Sequence, residues 1–251
     1  MAGTSFFAAS RLTQLFSQDC QLCGVRANTS LCRDCERDLP YRMAGGCPRC
    51  AAHAPTRQYC GACLAEAPAF DETVAAFSYA FPLDRLLQSY KFNENLSLTA
   101  MFSAALLAAV QQHHLQSGST RPDRVIALPL ARKRLAERGF NQSALLAELV
   151  AKELGIRYAP HGLLKVRDTP PQAGLDRAAR LKNVCGAFDC DESLAGLRIA
   201  IVDDVMTTGA TLSEAAKVLK KAGASYVSAW VVARADSAGA HVPAADATVP
   251  F

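Results

Sequence analysis

The stretch RIAIVDDVMTTGATLSEAAKVLKKAG, residues 198–223, combines a strand pattern, a polar turn and a helix pattern in direct succession. Its apolar first part ends at two adjacent carboxylates, Asp203 and Asp204. The turn TTGAT follows at 207–211, and the remaining residues have the spacing of an amphipathic helix. A buried strand that leads through a short turn into a helix is the repeating unit of a parallel α/β sheet.

The same alternation continues through residues 69–236. Asn141 is a plausible N-cap and Gly155 a plausible end of one helix. We predict helices at 96–114, 141–155 and 210–223, and strands at 124–130, 197–204 and 226–234. The order predicts an α/β domain with a mostly parallel sheet, flanked by helices and joined by right-handed crossovers. The small, polar tail at 237–251 is expected to be flexible.

Composition limits the class of protein. The chain has 251 residues, of which 50% are hydrophobic, enough for one sizeable core and a small additional module. A net charge of +4 is too small to indicate a nucleic-acid partner by itself. No apolar run of about 18 residues exists, so we expect no membrane insertion. The first residues predict an amphipathic helix rather than a signal peptide, so we expect a cytoplasmic protein.

A second region, residues 1–68, is distinguished by its cysteines. Four CxxC pairs follow one another in this region: Cys20 and Cys23, Cys32 and Cys35, Cys47 and Cys50, and Cys60 and Cys63. Two such pairs supply the four thiolates of a tetrahedral zinc site, so four pairs predict two structural zinc ions. Consecutive pairing of the CxxC motifs and a crossed arrangement both fit the spacing. We predict a double zinc-ribbon-like module.

Other interpretations of these cysteines fit less well. A redox site normally uses one CxxC pair, and disulfides are rare in the cytoplasm. The arginines of the module indicate either a solvated surface or a nucleic-acid surface. The remaining cysteines, Cys185 and Cys190, are predicted to be small buried side chains.

The acidic pair and the turn after it indicate one kind of ligand. Backbone N–H groups at a helix start, together with hydroxyls and a glycine, form a cradle for phosphate. Two carboxylates beside that cradle would repel a bare phosphate, but they suit a ligand that also carries hydroxyls and Mg²⁺. A ribose 5-phosphate has this chemistry. The P-loop and GxGxxG motifs are both absent.

The segment RIAIVDDVMTTGATL resembles the signature of the type I phosphoribosyltransferases, which bind 5-phosphoribosyl 1-pyrophosphate (PRPP). LPLARKRLAERGFNQS at 128–143 and TPPQAGLDRAARLKNVCGAF at 169–188 resemble motifs of the ComF/GntX family. This family joins a zinc-ribbon-like region to a phosphoribosyltransferase domain, and it is associated with DNA uptake in natural competence. The resemblance covers nearly the whole chain except the tail.

The resemblance implies roles for particular residues. Asp203 and Asp204 would hold the ribose hydroxyls and the Mg²⁺ shell, and the loop at 207–211 would hold the 5-phosphate. The loop residues are Thr207, Thr208, Gly209, Ala210 and Thr211. Arg134 and Arg138 would bind pyrophosphate, although a solvated helix face also explains them. Lys91 would either reach the site or lie on the surface.

A flap is also implied, at 167–183, where Arg177, Arg180 and Asn183 would fold over the pyrophosphate. Pro170, Pro171 and Gly174 argue against regular structure there.

Two functions remain open. The first is an enzyme, a pentosyl (glycosyl) transferase that moves ribose 5-phosphate from PRPP to an unidentified acceptor and releases pyrophosphate. The second is a non-catalytic adaptor that senses PRPP or binds single-stranded DNA or competence proteins. Purine-salvage relatives often have an acid at the position of Thr207, which puts ordinary base salvage in doubt.

Overall fold

The computed structural model describes residues 18–42, 45–54, 58–92, 96–168 and 182–236. The predicted N-terminal helix, the tail and two predicted flap residues, Arg177 and Arg180, lie outside the described residues. The strands are β1 (Gln18–Asp19), β2 (Arg26–Ala27), β3 (Glu72–Ser78), β4 (Arg124–Ala127), β5 (Arg157–Tyr158), β6 (Leu164–Lys165), β7 (Phe188–Asp189), β8 (Arg198–Met206) and β9 (Tyr226–Arg234). The helices are α1 (Arg33–Arg37), α2 (Gly61–Ala65), α3 (Leu83–Phe92), α4 (Leu98–Ser117), α5 (Arg132–Arg138), α6 (Gln142–Leu154) and α7 (Ala210–Lys221).

Five strands form the central sheet in the order β3-β9-β8-β4-β5, and every neighbouring pair is parallel. The two longest described strands, β8 and β9, lie next to each other and are buried over most of their length. Burial on both faces explains why their sequences are nearly continuous apolar runs. The predicted α/β fold with a parallel sheet is confirmed.

Each face of the sheet is covered by its own set of helices. On one face, α3, α4 and α6 pack against the strands around the fully buried Trp230. On the opposite face α7 packs its apolar side, including Leu212 and Leu219, against Ile199 and Ile201 of β8. Because all five strands are parallel, their carboxyl ends lie at one edge of the sheet, where open α/β sheets bind ligands.

The cysteine-rich segment passes along the edge strand β3 and packs on both faces of the sheet. Cys20, Leu31 and Leu39 belong to the apolar cluster under α3 and α4, whereas Cys47 and Cys50 belong to the cluster under α7. Between them the chain at 40–42 runs beside β3: the Arg42 N–H donates to the Ala76 carbonyl at 2.9 Å, and Ser78 N–H donates to the Pro40 carbonyl at 2.9 Å. The cysteine pairs therefore reach opposite faces of the sheet.

The helix caps agree with the sequence prediction. The Asn141 side chain accepts a hydrogen bond from the Ser143 N–H at the start of α6, and Gly155 ends that helix in the left-handed conformation with a φ of 65°. Strand β8 continues two residues beyond the predicted end, to Met206. Asp203 and Asp204 therefore lie within the strand, near its carboxyl end. The side chains of Asp203 and Asp204 consequently leave the strand in different directions.

Helix α4 is the longest of the described helices, with 20 residues. It buries Phe102, Leu106 and Val110 against the sheet. Across the described ranges, none of the helices has both the length and the apolarity that crossing a membrane requires.

Candidate functional site

The two aspartates of β8 are held by side chains from two different helices. The Ser143 hydroxyl of α6 donates to Asp203 Oδ1 at 2.9 Å, and the Asp204 N–H donates to the same oxygen at 2.9 Å. Asp204 is only 9% exposed, and its Oδ1 lies 3.0 Å from Lys91 Nζ of α3. The serine and the lysine fix the two carboxylates in distinct orientations at the carboxyl edge of the sheet.

Asp203 has an unusual affinity for a proton. Burial raises its pKa to about 7, and the neighbouring charge of Asp204 acts in the same direction. Lys91 and the hydrogen bonds from Ser143 and the Asp204 backbone lower the pKa but do not cancel these effects. A nearby cation stabilises the charged form of buried carboxylates. Asp203 and Asp204 are therefore suited to a ligand that brings a divalent cation.

The loop at 207–211 connects β8 to α7. Gly209 has a φ of +78°, a conformation that residues with a Cβ rarely adopt. A Cβ at this position would lie 2.7 Å from Met206 Cε and 3.4 Å from the Phe70 ring, so the loop packs closely on the strand end. Helix α7 begins at Ala210, and the positive end of its backbone dipole makes this end attractive to anions.

Three cations face the loop and the acidic pair across a cavity of about 340 Å³. Arg134 and Arg138 come from α5, and Lys165 comes from β6. The cavity is lined by Lys91, Leu128, Pro129, Leu130, Arg134, Arg138, Gln142, Ser143, Lys165, Asp203, Asp204, Val205, Thr207 and Thr211. An acidic floor, a helix start and a cationic wall together suit a ligand with hydroxyls, anionic groups at two ends and a bound divalent cation.

Lys165 is a cavity residue that the sequence did not single out. Burial lowers its pKa, and the positive charge of Arg134 lowers it further. The carboxylates of Asp168 and Asp203 oppose this effect. Lys165 lies in a two-residue strand without any motif, and only the pairing of β6 with β7 places it at the cavity. No local sequence signal was available to find it.

Most of the described residues that were predicted to bind PRPP lie at one cavity. Six of them line the cavity: Arg134, Arg138, Asp203, Asp204, Thr207 and Thr211. Thr208, Gly209 and Ala210 belong to the same loop but are not among the lining residues. Lys91 is a cavity residue rather than a surface lysine.

The interpretation of Cys185 and Cys190 as small buried side chains was wrong. Cys185 is exposed in the turn before β7, and Cys190, directly after β7, is half-buried. Asn183 is described, and its carbonyl accepts a hydrogen bond from Arg167 at 3.0 Å.

The eight N-terminal cysteines form two compact groups. One contains Cys20, Cys23, Cys32 and Cys35, the other Cys47, Cys50, Cys60 and Cys63, and within each group all sulfur atoms lie within 4.8 Å of one another. The pairing is therefore consecutive rather than crossed. Two of the Sγ–Sγ separations are 3.7 Å and 3.5 Å, close to the ~3.8 Å that a tetrahedral zinc with bonds of about 2.3 Å requires.

The protonation of the two groups also fits a divalent metal. Although burial alone would raise the pKa of Cys20, backbone hydrogen bonds lower it to about 6, and the pKa of Cys47 is lowered to about 7 for the same reason. The pKa values of Cys35 and Cys63 are raised by burial and by their neighbouring thiols. All four thiols of a group can ionise together only when a cation compensates them, which is what Zn²⁺ does in a closed structural site.

Comparison with known proteins gives two family matches along the chain. Residues 11–64 match the family described as double zinc ribbon domain, and residues 141–249 match the family described as phosphoribosyl transferase domain. The first match contains both four-cysteine groups, and the second contains the acidic pair and the loop at 207–211.

Whole-length relatives carry names connected with DNA. The chain is 34% identical to DNA utilization protein YhgH of Salmonella typhimurium over 221 residues, which is 86% of this chain and 96% of that protein. It is 32% identical to competence protein F of Haemophilus influenzae, covering 83% of this chain and 92% of that protein. It is 25% identical to competence protein ComFC of Bacillus subtilis, covering 87% and 91%. The chain thus belongs to the family of these DNA utilization and competence proteins, in which a double zinc ribbon precedes a phosphoribosyltransferase domain.

Proposed function

We propose that this protein binds PRPP together with Mg²⁺ and transfers ribose 5-phosphate to an acceptor, with release of pyrophosphate. The observation that carries the proposal is the single cavity in which the acidic pair of β8, the loop at 207–211 and the cations of α5 and β6 face one another. Each part matches one part of PRPP: the diol, the 5-phosphate and the pyrophosphate.

Each end of the substrate has a binding group in the cavity. The 5-phosphate takes hydrogen bonds from the loop amides and from the hydroxyls of Thr207 and Thr211, as expected at a helix start. The ribose hydroxyls donate to Asp203 and Asp204. Arg134 and Arg138 bind the pyrophosphate, since guanidinium groups match phosphate oxygens in geometry and charge.

Magnesium fits the donor set because carboxylate oxygens and phosphate oxygens are its preferred ligands. Asp203 and Asp204 would contribute to its shell, and bound Mg²⁺ would supply charge neutralisation to the pyrophosphate. Lys91 forms an ion pair with Asp204, at an Nζ–Oδ1 distance of 3.0 Å. Ser143 keeps the oxygen of Asp203 oriented towards the cavity.

The chemical step is a substitution at the anomeric carbon. The bond from C1 to the pyrophosphate oxygen breaks, the bond from C1 to the acceptor forms, and the acceptor loses a proton. The developing positive charge on the sugar resembles that in glycoside hydrolysis, and the arginines stabilise the negative leaving group. Arg177 and Arg180, which lie outside the described residues, are proposed to cover the pyrophosphate and exclude water.

The acceptor is not an ordinary purine base in this proposal. Thr207 stands where purine-salvage enzymes often have an acid that handles the proton of the base. The hydroxyl of Thr207 cannot replace a carboxylate as a base near pH 7. The relatives' names connect the family with competence and DNA utilization, and we propose that the product or the bound substrate serves DNA uptake in the cytoplasm.

The proposal is tested by titrating Mg·PRPP into the zinc-loaded protein by calorimetry. We expect a dissociation constant in the micromolar range, about −8 kcal/mol. The Asp203→Asn/Asp204→Asn variant is expected to lose this binding. The matched control is Asp189→Asn/Asp191→Asn, which removes the same charge from two exposed carboxylates outside the cavity. Absence of binding by the unmodified protein would refute the proposal.

A second candidate function, an adaptor for single-stranded DNA, is favoured by a groove beside the first four-cysteine group. The groove has a volume of about 520 Å³ and includes Cys23, Cys35 and the 70%-exposed ring of Phe81. The guanidinium of Arg85 lies over that ring at 5.4 Å. An exposed aromatic ring beside an arginine is a platform for nucleobases and phosphates.

The adaptor function has its own test. We expect a fluorescent oligothymidine to bind with an affinity that falls as salt rises, and Phe81→Ala to weaken it about tenfold, the effect of one lost stacking contact. Leu115 of α4, an exposed apolar side chain that does not line the groove, provides the control variant Leu115→Ala. Equal affinities of all three proteins would exclude this groove as the binding surface.

A further inference from the structure

Arg234 is a buried arginine whose side chain joins the second four-cysteine group to the loop at 207–211. It is the last residue of β9, it is 6% exposed, and it lies beside Met206 of β8. Its Nε donates to the carbonyl of Cys50 at 2.8 Å, and its Nη1 donates to the carbonyl of Thr207 at 2.5 Å. Further hydrogen bonds go to the carbonyls of Met206 and Ala235. One guanidinium thus binds a metal-ligating residue and the first residue of the loop.

The charge of Arg234 requires compensation. All its hydrogen bonds within the described part of the chain go to backbone carbonyls, and none goes to a carboxylate. A buried guanidinium without a negative partner is strongly unfavourable. Four thiolates around one Zn²⁺ carry a net negative charge, so the loaded second group supplies a counter-charge next to Cys50.

Packing connects the same two regions independently of Arg234. The Thr73 hydroxyl donates to the Arg49 carbonyl at 2.7 Å and lies 3.9 Å from Met206 Sδ. Met206 and Phe70, which lie under Gly209, belong to the same apolar cluster as Cys47 and Cys50. The underside of the loop therefore rests on the second cysteine group, whereas the first group packs on the opposite face of the sheet.

We infer that Arg234 is a positioning residue through which zinc in the second four-cysteine group sets the conformation of the 5-phosphate loop, and with it the affinity for ribose phosphates. This inference rests on the proposed function for its ligand. It assigns different roles to the two zinc ions: the second supports the ligand site, and the first does not. A scaffold role shared equally by both ions is the alternative.

The two groups offer a closely matched pair of variants. Cys32 and Cys60 are both half-buried, both are the third cysteine of their group, and both precede a five-residue helix as its N-cap. Cys60→Ser and Cys32→Ser therefore make the same change in equivalent positions. Arg234→Met removes the guanidinium and leaves every cysteine in place.

Three quantities are measured for each full-length variant: bound zinc, Mg·PRPP affinity by calorimetry, and hydrogen exchange of the amides at 207–211 without ligand. We expect Cys60→Ser to weaken Mg·PRPP binding about tenfold, a size typical of coupling between sites, and to speed exchange in the loop. Cys32→Ser is expected to lose zinc from the first group and to leave both other quantities within about twofold. Arg234→Met is expected to behave like Cys60→Ser in binding and exchange.

Either of two results would overturn the inference: equal effects of Cys60→Ser and Cys32→Ser on the loop, or an unchanged loop in Arg234→Met. If Arg234→Met does not fold, the inference is tested by hydrogen exchange of the loop at 207–211 alone. This exchange is compared among Cys60→Ser, Cys32→Ser and the zinc-stripped wild-type protein. If the wild-type protein binds no Mg·PRPP, the proposed function fails, while loop exchange still shows whether zinc in the second group orders residues 207–211.

Discussion

The raised pKa of Asp203 predicts that this single side chain makes the protein less stable at alkaline pH. Burial, reinforced by Asp204, raises its pKa from 3.8 to about 7. The folded state then holds the proton more tightly than the unfolded state. Its stabilising contribution is complete below the unfolded pKa and is lost as the pH rises through the folded value. Between about pH 5.5 and pH 8 the linkage relation gives a loss of about 2 kcal/mol in the free energy of unfolding.

The assay compares urea unfolding of the wild-type protein and Asp203→Asn at both pH values in excess zinc. Asparagine keeps the size of the side chain and removes the titration. We expect the variant to become more stable relative to wild type by about 2 kcal/mol as the pH rises from about 5.5 to 8. Titration of groups distant from Asp203, including the zinc-binding thiols, occurs in both proteins and cancels in the difference. A difference between the two proteins that does not change with pH would refute the reasoning.

Three further predictions concern the cavity. Gly209→Ala forces a residue with a Cβ to a φ of +78° and towards Met206 Cε, so we expect a loss of about 1–2 kcal/mol in urea unfolding and weaker Mg·PRPP binding in calorimetry. Lys165→Ala removes one cavity cation and is expected to weaken Mg·PRPP binding about tenfold, whereas Lys152→Ala on the exposed side of α6 should leave the affinity unchanged in the same titration. Mg·PRPP affinity is expected to rise about tenfold from pH 6 to pH 8 because Asp203 must lose its proton, and an affinity that stays constant over this range would contradict that assignment.

The central part of the fold was predictable because its strands are buried on both faces. β8 and β9 are nearly continuous apolar runs, and a parallel sheet is the usual setting for such strands. The caps of α6 were equally legible, since Asn141 and Gly155 act through local hydrogen bonds and backbone geometry. Helix α5 gave no comparable signal: its sequence RKRLAER buries no residue, so no apolar periodicity marks it.

The acidic pair and the loop were predictable because both belong to one contiguous segment. The side chains that complete the cavity come from separate elements, Lys91 from α3, Ser143 from α6 and Lys165 from β6. Their convergence depends on contacts across long sequence separations, such as the 3.0 Å ion pair between Lys91 and Asp204. Spacing along the chain contains no information about such contacts.

Spacing also left the pairing of the cysteines open, and tertiary structure decides it. The first four cysteines and the last four lie in segments that pack on opposite faces of the sheet. A crossed metal site would need sulfur atoms from both faces to meet through the sheet. The choice between the two pairings therefore follows from the path of residues 40–42 around β3, which no local motif encodes.

That path also affects the behaviour of the newly made chain. Strand β3 is the outer strand of the sheet, and the segment 40–42 occupies the hydrogen-bonding groups of Ala76 and Ser78 that a strand from another molecule would otherwise pair with. The metal sites on either side of this segment hold it in place. We therefore expect a chain that folds without zinc to expose this strand edge to intermolecular pairing, so that metal supply during synthesis protects against aggregation.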